Sequence, residues 1–234
     1  MKRIIAIGGG ELRERTTLKI DEYIAKLAKE HAGENRANAL FIPTASHDFM
    51  PYYNTFHKVY TGLFNIKTDV ALTVFKEPDM EKMRSKFEKA DVIYVGGGDT
   101  VFMIESWKKS GLLPLIEDAY NRGVIIAGLS AGAICWFSDI YTDSLKTEDG
   151  TKYAMFKGLN WLKGVISPHY GARMLDFDKI VCYNFDCAYG IEDDSALVYE
   201  DGELVGSLTS GGKAWQIERK DGNVEKREIP LIEE

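Results

Sequence analysis

Val124-Ile125-Ile126-Ala127-Gly128-Leu129-Ser130-Ala131-Gly132-Ala133 is the stretch on which the reading of this chain turns. Four apolar residues in a row, two of them β-branched isoleucines, read as a strand buried on both faces, as in a parallel sheet covered by helices. They deliver the chain into Gly-x-Ser-x-Gly. Such a serine sits on a sharp strand-to-helix turn, where side chains two residues either side would collide with the turn. An apolar segment, Ala133 to Phe137, reads as the helix that follows.

Working outward, short apolar runs alternate with longer amphipathic ones, the pattern of parallel strands joined by crossover helices. Upstream strands are Arg3 to Ile7, Ala39 to Ile42, Val70 to Phe75 and Asp91 to Val95. Between them, Ile20, Ile24, Leu27 and Ala28 mark one helical face, and Tyr52 to Phe64, Asp79 to Lys89, Val101 to Ser110 and Leu113 to Asn121 read as further helices. The last third changes character. Asp201-Gly202 and Asp221-Gly222 each sit between two strand-like runs and mark type I′ hairpins, expected as antiparallel strands on the edge of a mixed sheet. No linker, repeat or low-complexity tract interrupts the 234 residues, so residues 1 to 234 read as a single α/β domain.

Composition narrows the function classes. The 29 basic and 36 acidic residues leave a net charge of -7, and no Lys/Arg run exceeds two residues. That argues against a nucleic-acid groove or a polybasic membrane patch. No segment approaches the 18 apolar residues of a membrane span. Three cysteines, Cys135, Cys182 and Cys187, read as free thiols in a reducing compartment, and a cytoplasmic protein is expected. No Cys/His cluster has zinc-ligand spacing, so neither metal nor cofactor is called for.

A nucleophilic serine needs a base, and there are only four histidines: His31, His47, His57 and His169. Only His169 follows Ser130, and it closes the apolar run Val165-Ile166-Ser167-Pro168. In strand-turn-helix hydrolases the acid usually lies between serine and histidine in the chain. Asp139, Asp143 and Glu148 fall there, while Glu192, Asp193 and Asp194 follow His169. Asp143 is favoured, as it lies past the elbow helix on a segment able to fold back; Glu192 is the alternative. The amide of Ala131 supplies one oxyanion donor, and the glycine-rich turn Gly96-Gly97-Gly98-Asp99-Thr100 a second. Neither that turn nor Gly8-Gly9-Gly10 matches a nucleotide-binding fingerprint.

Taken in order, Gly-Gly-Gly-Asp-Thr at 96–100, Gly-Leu-Ser-Ala-Gly-Ala at 128–133 and Ser-Pro-His-Tyr at 167–170 resemble the peptidase E family of serine dipeptidases, which includes cyanophycinase. The resemblance spans roughly residues 1 to 218. It implies a class I glutamine amidotransferase-like fold, a doubly wound and mostly parallel sheet flanked by helices. It also implies Ser130 as nucleophile, His169 as base, Asp143 as acid, and Gly98 with Ala131 as oxyanion donors. Some relatives use glutamate as the acid, which keeps Glu192 open. Asp99, Tyr170 and Arg173 are candidate substrate contacts, Arg173 being the only arginine in the segment after His169, where this family is expected to read an acidic substrate side chain. The function implied is hydrolysis of short peptides by a monomer or homodimer; an amidase or esterase, or a silent binding protein, remains the alternative.

Overall fold

The computed structural model describes residues 1–75, 78–145 and 152–232. The chain begins β1 (Arg3–Ile7), α1 (Leu18–Ala32), β2 (Asn38–Ile42), α2 (Met50–Gly62), β3 (Lys67–Val70), α3 (Met80–Glu88) and β4 (Val92–Val95). It continues with α4 (Thr100–Ser110), α5 (Leu113–Asn121), β5 (Ile125–Leu129), α6 (Ala131–Ile134), β6 (Phe137–Thr142), β7 (Ala154–Lys157), β8 (Leu162–Ser167) and α7 (Tyr170–Asn184). Five strands complete it: β9 (Cys187–Ile191), β10 (Ser195–Glu200), β11 (Glu203–Thr209), β12 (Ala214–Lys220) and β13 (Asn223–Glu228).

These strands form two sheets. The larger runs β11-β10-β1-β5-β4-β2-β3, with β1, β5, β4, β2 and β3 parallel and the β10–β11 hairpin antiparallel at one end. Residues alternate between its faces, as the two-residue period of a strand requires. Ile5, Ile7, Phe41 and Tyr94 pack with Ile24, Phe56 and Tyr60 of α1 and α2. Ile4, Leu40, Ile93 and Ile126 pack on the other face with Met83, Met103, Trp107 and Ile116 of α3 to α5.

The smaller sheet, β13-β12-β9-β8-β6-β7, shares that second core through Phe137, Ile140, Ile166 and Ile191. Its far side is covered by Phe177 and Val181 of α7 with Tyr141, Val165 and Ile217. Both expected hairpins form, with Asp201 and Asp221 at positive φ. Only the first joins the parallel sheet; β12–β13 goes to the second one, which periodicity alone does not announce. Two boundaries also differ. The expected strand at Val70 to Phe75 lies earlier, at Lys67–Val70, because an edge strand paired only with β2 tolerates Lys67, Thr68 and Asp69. The expected helix through Phe137 is one turn long, and the aromatic and β-branched residues that follow enter β6 instead. Among the described residues no helix is long and apolar enough to cross a membrane.

Asp21 is buried in α1, where the Thr17 and Tyr60 hydroxyls donate to it at 2.7 and 2.8 Å. Burial pushes its carboxyl up from 3.8 to about 7, and those hydrogen bonds offset only part of the effect. Between these two values the folded chain keeps a proton that the unfolded chain has released, so this site's contribution to stability falls as pH rises from about 4 to about 7. Asp21→Asn is therefore expected to melt near wild type at pH 4–5 and several degrees above it at pH 8, at about 2–4 °C per kcal/mol. A gap between the melting curves that does not change with pH would contradict this.

Candidate active site

Because β1, β4 and β5 are parallel neighbours, the segments after them emerge at one edge of the sheet. That brings Gly8-Gly9-Gly10, Gly96-Gly97-Gly98 and Ser130 together, as ligand sites at the carboxyl ends of parallel strands usually are. Ser130 has φ 52° and ψ −107°, an uncommon backbone for a residue with a side chain. Its flanking glycines are sterically required. A Cβ on Gly128 would lie 2.2 Å from the Gly132 carbonyl, and one on Gly132 would lie 2.2 Å from that of Val95.

His169 follows β8 and begins α7 in the left-handed region, φ 49°. Its Nε2 is 2.9 Å from Ser130 Oγ, and its Nδ1 is 2.5 Å from Asp193 Oδ1. Asp193 belongs to the Glu192-Asp193-Asp194 link, where the chain leaves β9 for β10 and so crosses from one sheet to the other. The three acids go three ways. Glu192 accepts from the Trp215 indole at 2.9 Å and the Lys213 amide at 3.1 Å, Asp193 meets His169, and Asp194 accepts from the Thr16 hydroxyl.

The expectation for the acid is therefore corrected. Asp143 stands past β6 and binds Arg173 at 3.3 Å instead of His169. Strand β8 lies between β6 and β9, and it is β9, joined to β8 through α7, whose trailing link reaches the imidazole. Glu192 is instead held beside β12 by the Trp215 indole and the Lys213 amide, and the chain turns at Asp193-Asp194, with Asp194 at φ 60°, to bring Asp193 to the imidazole. Asp139 is in β6, bound to Lys157, and Glu148 lies outside the described residues.

The three proposed substrate contacts also have other partners. Asp99 caps α4, accepting from the Phe102 amide at 2.9 Å. Tyr170 is fully buried, its hydroxyl donating to Asp178 at 2.7 Å. Arg173 is 5% exposed; it donates to the Tyr141 carbonyl and to Asp143 and stacks on the Tyr153 ring. A buried guanidinium so engaged is not available to a substrate carboxylate.

Gly97 and Gly98 line the same cleft as Ser130, and Ala131 follows it at the start of α6. A Cβ on Gly97 would come within 3.4 Å of Ser130 Cβ, and one on Gly98, at φ +138°, would lie 2.2 Å from the Ala45 carbonyl. The Gly97 amide donates to the Tyr52 hydroxyl at 3.3 Å, fixing this turn beside the serine. Ser130, His169, Gly97, Gly98, Gly10, Glu11, Leu12, Arg13, Phe49, Tyr52 and Leu129 line a cleft of about 460 Å³. A larger groove, about 850 Å³, lies near the amino ends of β2 and β3 among His31, Arg36, His57 and Lys89. Size alone would select that groove; the Ser130–His169–Asp193 hydrogen-bond chain selects the smaller cleft as the candidate site. Among the described residues no group of three or more His, Cys, Asp or Glu side chains is arranged to hold a metal ion.

With this geometry in view, the profile of Peptidase family S51 matches residues 4–206. The chain belongs to that family. Among similar S51 proteins and peptidases, the "Uncharacterized peptidase YgaJ" of Bacillus subtilis is 34% identical over 99% of this chain and 97% of its own. The "Peptidase E" of Shewanella oneidensis is 31% identical over 72% of this chain and 73% of its own. In fold, the chain is similar to a crystal structure of a peptidase from an acI-B1 actinobacterium, with TM-score 0.74 at 17% identity over 100% of this chain and 96% of that one. It is also similar to a putative peptidase E protein from Listeria monocytogenes, with TM-score 0.60 at 19% identity over 89% and 98%. S51 membership makes the protein a peptidase and agrees with its α/β architecture of mostly parallel strands with antiparallel additions.

Gly9 is the site residue that motif reading assigned no role. A Cβ there would fall 1.9 Å from Asp193 Oδ1 and 2.4 Å from His169 Nδ1. Gly9→Ala should displace this pair and slow hydrolysis by about 10²-fold or more, since angstrom-scale misplacement of reacting groups has that effect. Far-UV circular dichroism should stay native. Wild-type kcat in a folded Gly9→Ala protein would show that the pair does not need this close packing.

Proposed function

We propose that this S51 peptidase is a serine dipeptidase, hydrolysing short peptides through an acyl-enzyme on Ser130. The observation that carries the proposal is the continuous chain from Ser130 Oγ through the His169 imidazole to Asp193, set at the floor of a cleft. In this reading His169 Nε2 takes the Ser130 proton as the oxygen attacks the scissile carbonyl. Asp193 accepts from Nδ1–H, which holds the imidazole in the tautomer with a free Nε2 and stabilises the imidazolium that forms. The amides of Gly98 and Ala131 receive the oxyanion, on backbone that is already fixed before the reaction begins. His169 then protonates the leaving amine. A water activated by the same imidazole releases the acyl group and restores the serine.

Three features support the assignment. Membership of family S51 makes the chain a peptidase. Ser130 takes an uncommon backbone, φ 52° and ψ −107°, and its hydroxyl lies within hydrogen-bond distance of His169. The relatives named peptidase E add weight to the dipeptidase reading.

A fluorophosphonate probe should add one phosphonyl group to the wild-type protein, read by intact mass, and none to Ser130→Ala. Labelling that persists in Ser130→Ala would overturn the serine mechanism. In hydrolysis of a dipeptide panel, Asp193→Asn should lower kcat by about 10³–10⁴-fold, by analogy with the acid of the Ser-His-Asp template. Asp143→Asn and Glu192→Gln should each stay within about tenfold of wild type, since neither touches the imidazole. Asp143→Asn losing as much as Asp193→Asn would return the orienting role to residue 143.

A further inference from the structure

Phe49 stands where the local chain gives no reason for it. It is the capping residue that precedes α2, a position that favours Ser, Thr, Asp or Asn, and its side chain makes no capping hydrogen bond. It belongs to none of the three apolar cores among the described residues, and 58% of its surface is exposed. The phenylalanine within α2, Phe56, is fully buried. A lone exposed ring would mean little, but this one is part of an apolar wall.

Phe49, Leu12, Pro51, Tyr52 and Leu129 share the cleft with Ser130 and His169. Gly97 sets part of that wall against the serine: a Cβ there would lie 3.2 Å from Leu129 Cδ2 and 3.4 Å from Ser130 Cβ, and its amide donates to the Tyr52 hydroxyl. Phe49 is braced to the same turn. Its amide donates to the Ser46 carbonyl at 3.2 Å, its carbonyl accepts the Tyr52 amide at 3.0 Å, and a Cβ on Gly98 would lie 3.0 Å from the Ser46 nitrogen. Backbone bonds therefore hold the ring in the cleft. Charge is sparse on this wall: among its described residues Glu11 is the one carboxylate and Arg13 the one Lys or Arg, and Arg13 is shared with a separate recess along α2. Arg173 is committed to Tyr141 and Asp143.

We infer that Phe49 is the specificity-determining residue of this cleft, and that the preferred peptides carry an apolar side chain, aromatic or branched aliphatic, next to the scissile bond. The inference rests on the peptidase reading and adds to it which side chain is selected. Two apolar surfaces that meet expel water in proportion to the area they cover, so a phenyl group laid against Phe49 is held more tightly than a methyl. An acidic side chain in the same place would lose hydration against a wall that offers it no partner. The selection is thus made by area, with the ring of Phe49 supplying the exposed half of the contact.

The test is calorimetric binding of four dipeptides, Phe-Ala, Ala-Phe, Ala-Ala and Asp-Ala, to Ser130→Ala, which removes turnover. At least one phenylalanine peptide should bind about tenfold or more tighter than Ala-Ala, about 1.4 kcal/mol, while Asp-Ala stays within about twofold of Ala-Ala. Adding Phe49→Ser should bring all four within about threefold of one another, whereas Phe49→Leu, still apolar, should keep a larger preference than that. Serine is favoured at a helix N-cap, so the Phe49→Ser protein should melt no lower than its parent, and the lost preference then reports the lost contact. A smaller preference in the parent, undetectable binding of all four peptides, tightest binding of Asp-Ala, a preference that survives Phe49→Ser, or one lost equally in Phe49→Leu would overturn the inference. Fluorophosphonate labelling of wild type separates this from the mechanism. No labelling with the phenylalanine preference intact would sink the serine mechanism alone, and labelling without the preference would sink the inference alone.

Discussion

Three consecutive carbonyls at the end of β1 hold the site together. Ile7 accepts the amide of Ser130 at 2.9 Å, Gly8 that of His169 at 3.1 Å, and Gly9 that of Asp194 at 3.0 Å. The serine comes from the parallel sheet, the histidine from the second sheet, and the acid from the link between them. Each is thus fixed through its own or its neighbour's backbone to one extended segment only three residues long. Backbone groups near a sheet edge must find partners, and here the partners are the segments that carry Ser130, His169 and Asp193. Without this common strip, the serine and histidine would be set independently by two different sheets.

The same strip explains why β1 ends in glycines. A side chain on Gly8 would run into the Glu192 carbonyl at 2.4 Å, and one on Gly9 into the His169 and Asp193 side chains. Close approach is thus bought with glycine on both sides of the cleft, for Gly128 and Gly132 do likewise under the serine. The positive-φ backbones of Ser130 and His169 are the local strain that this packing sustains. Beneath this turn, the Trp136 indole donates to the Gly132 carbonyl at 2.8 Å and packs at a tilt against Trp107 and Trp161. The turn therefore rests on the buried Trp107 and Trp136, with Trp161 half-buried beside them.

Much of this was legible in the amino-acid order. The buried run before Gly128-Leu129-Ser130-Ala131-Gly132 gave the strand, the turn and the candidate nucleophile, because a local steric requirement leaves a local signature. The scarcity of histidines singled out His169, now found 2.9 Å from Ser130 Oγ. The acid was not legible in the same way. Chain order favoured Asp143, whereas the residue that meets the imidazole is set by which strand neighbours β8, and β9 was hidden among weakly patterned residues. Asp193 stands in an acidic run directly after Ala188 to Ile191, and that strand-end position points to it only once β9 is paired beside β8. Arg173 misled for a related reason: its place after His169 was read from the chain, but its burial against Tyr141 and Tyr153 is a tertiary fact.

The most direct measurement of this account is a crystal structure of the protein after reaction with a fluorophosphonate, in which the phosphonyl group mimics the tetrahedral species. Phosphorus is expected on Ser130 Oγ, with a phosphonyl oxygen within hydrogen-bond distance of the Gly98 and Ala131 amides. His169 should remain between the adduct and Asp193, with the Ile7, Gly8 and Gly9 carbonyls still engaged. An adduct on another residue, or an imidazole turned away from Asp193 toward Asp143, would contradict it.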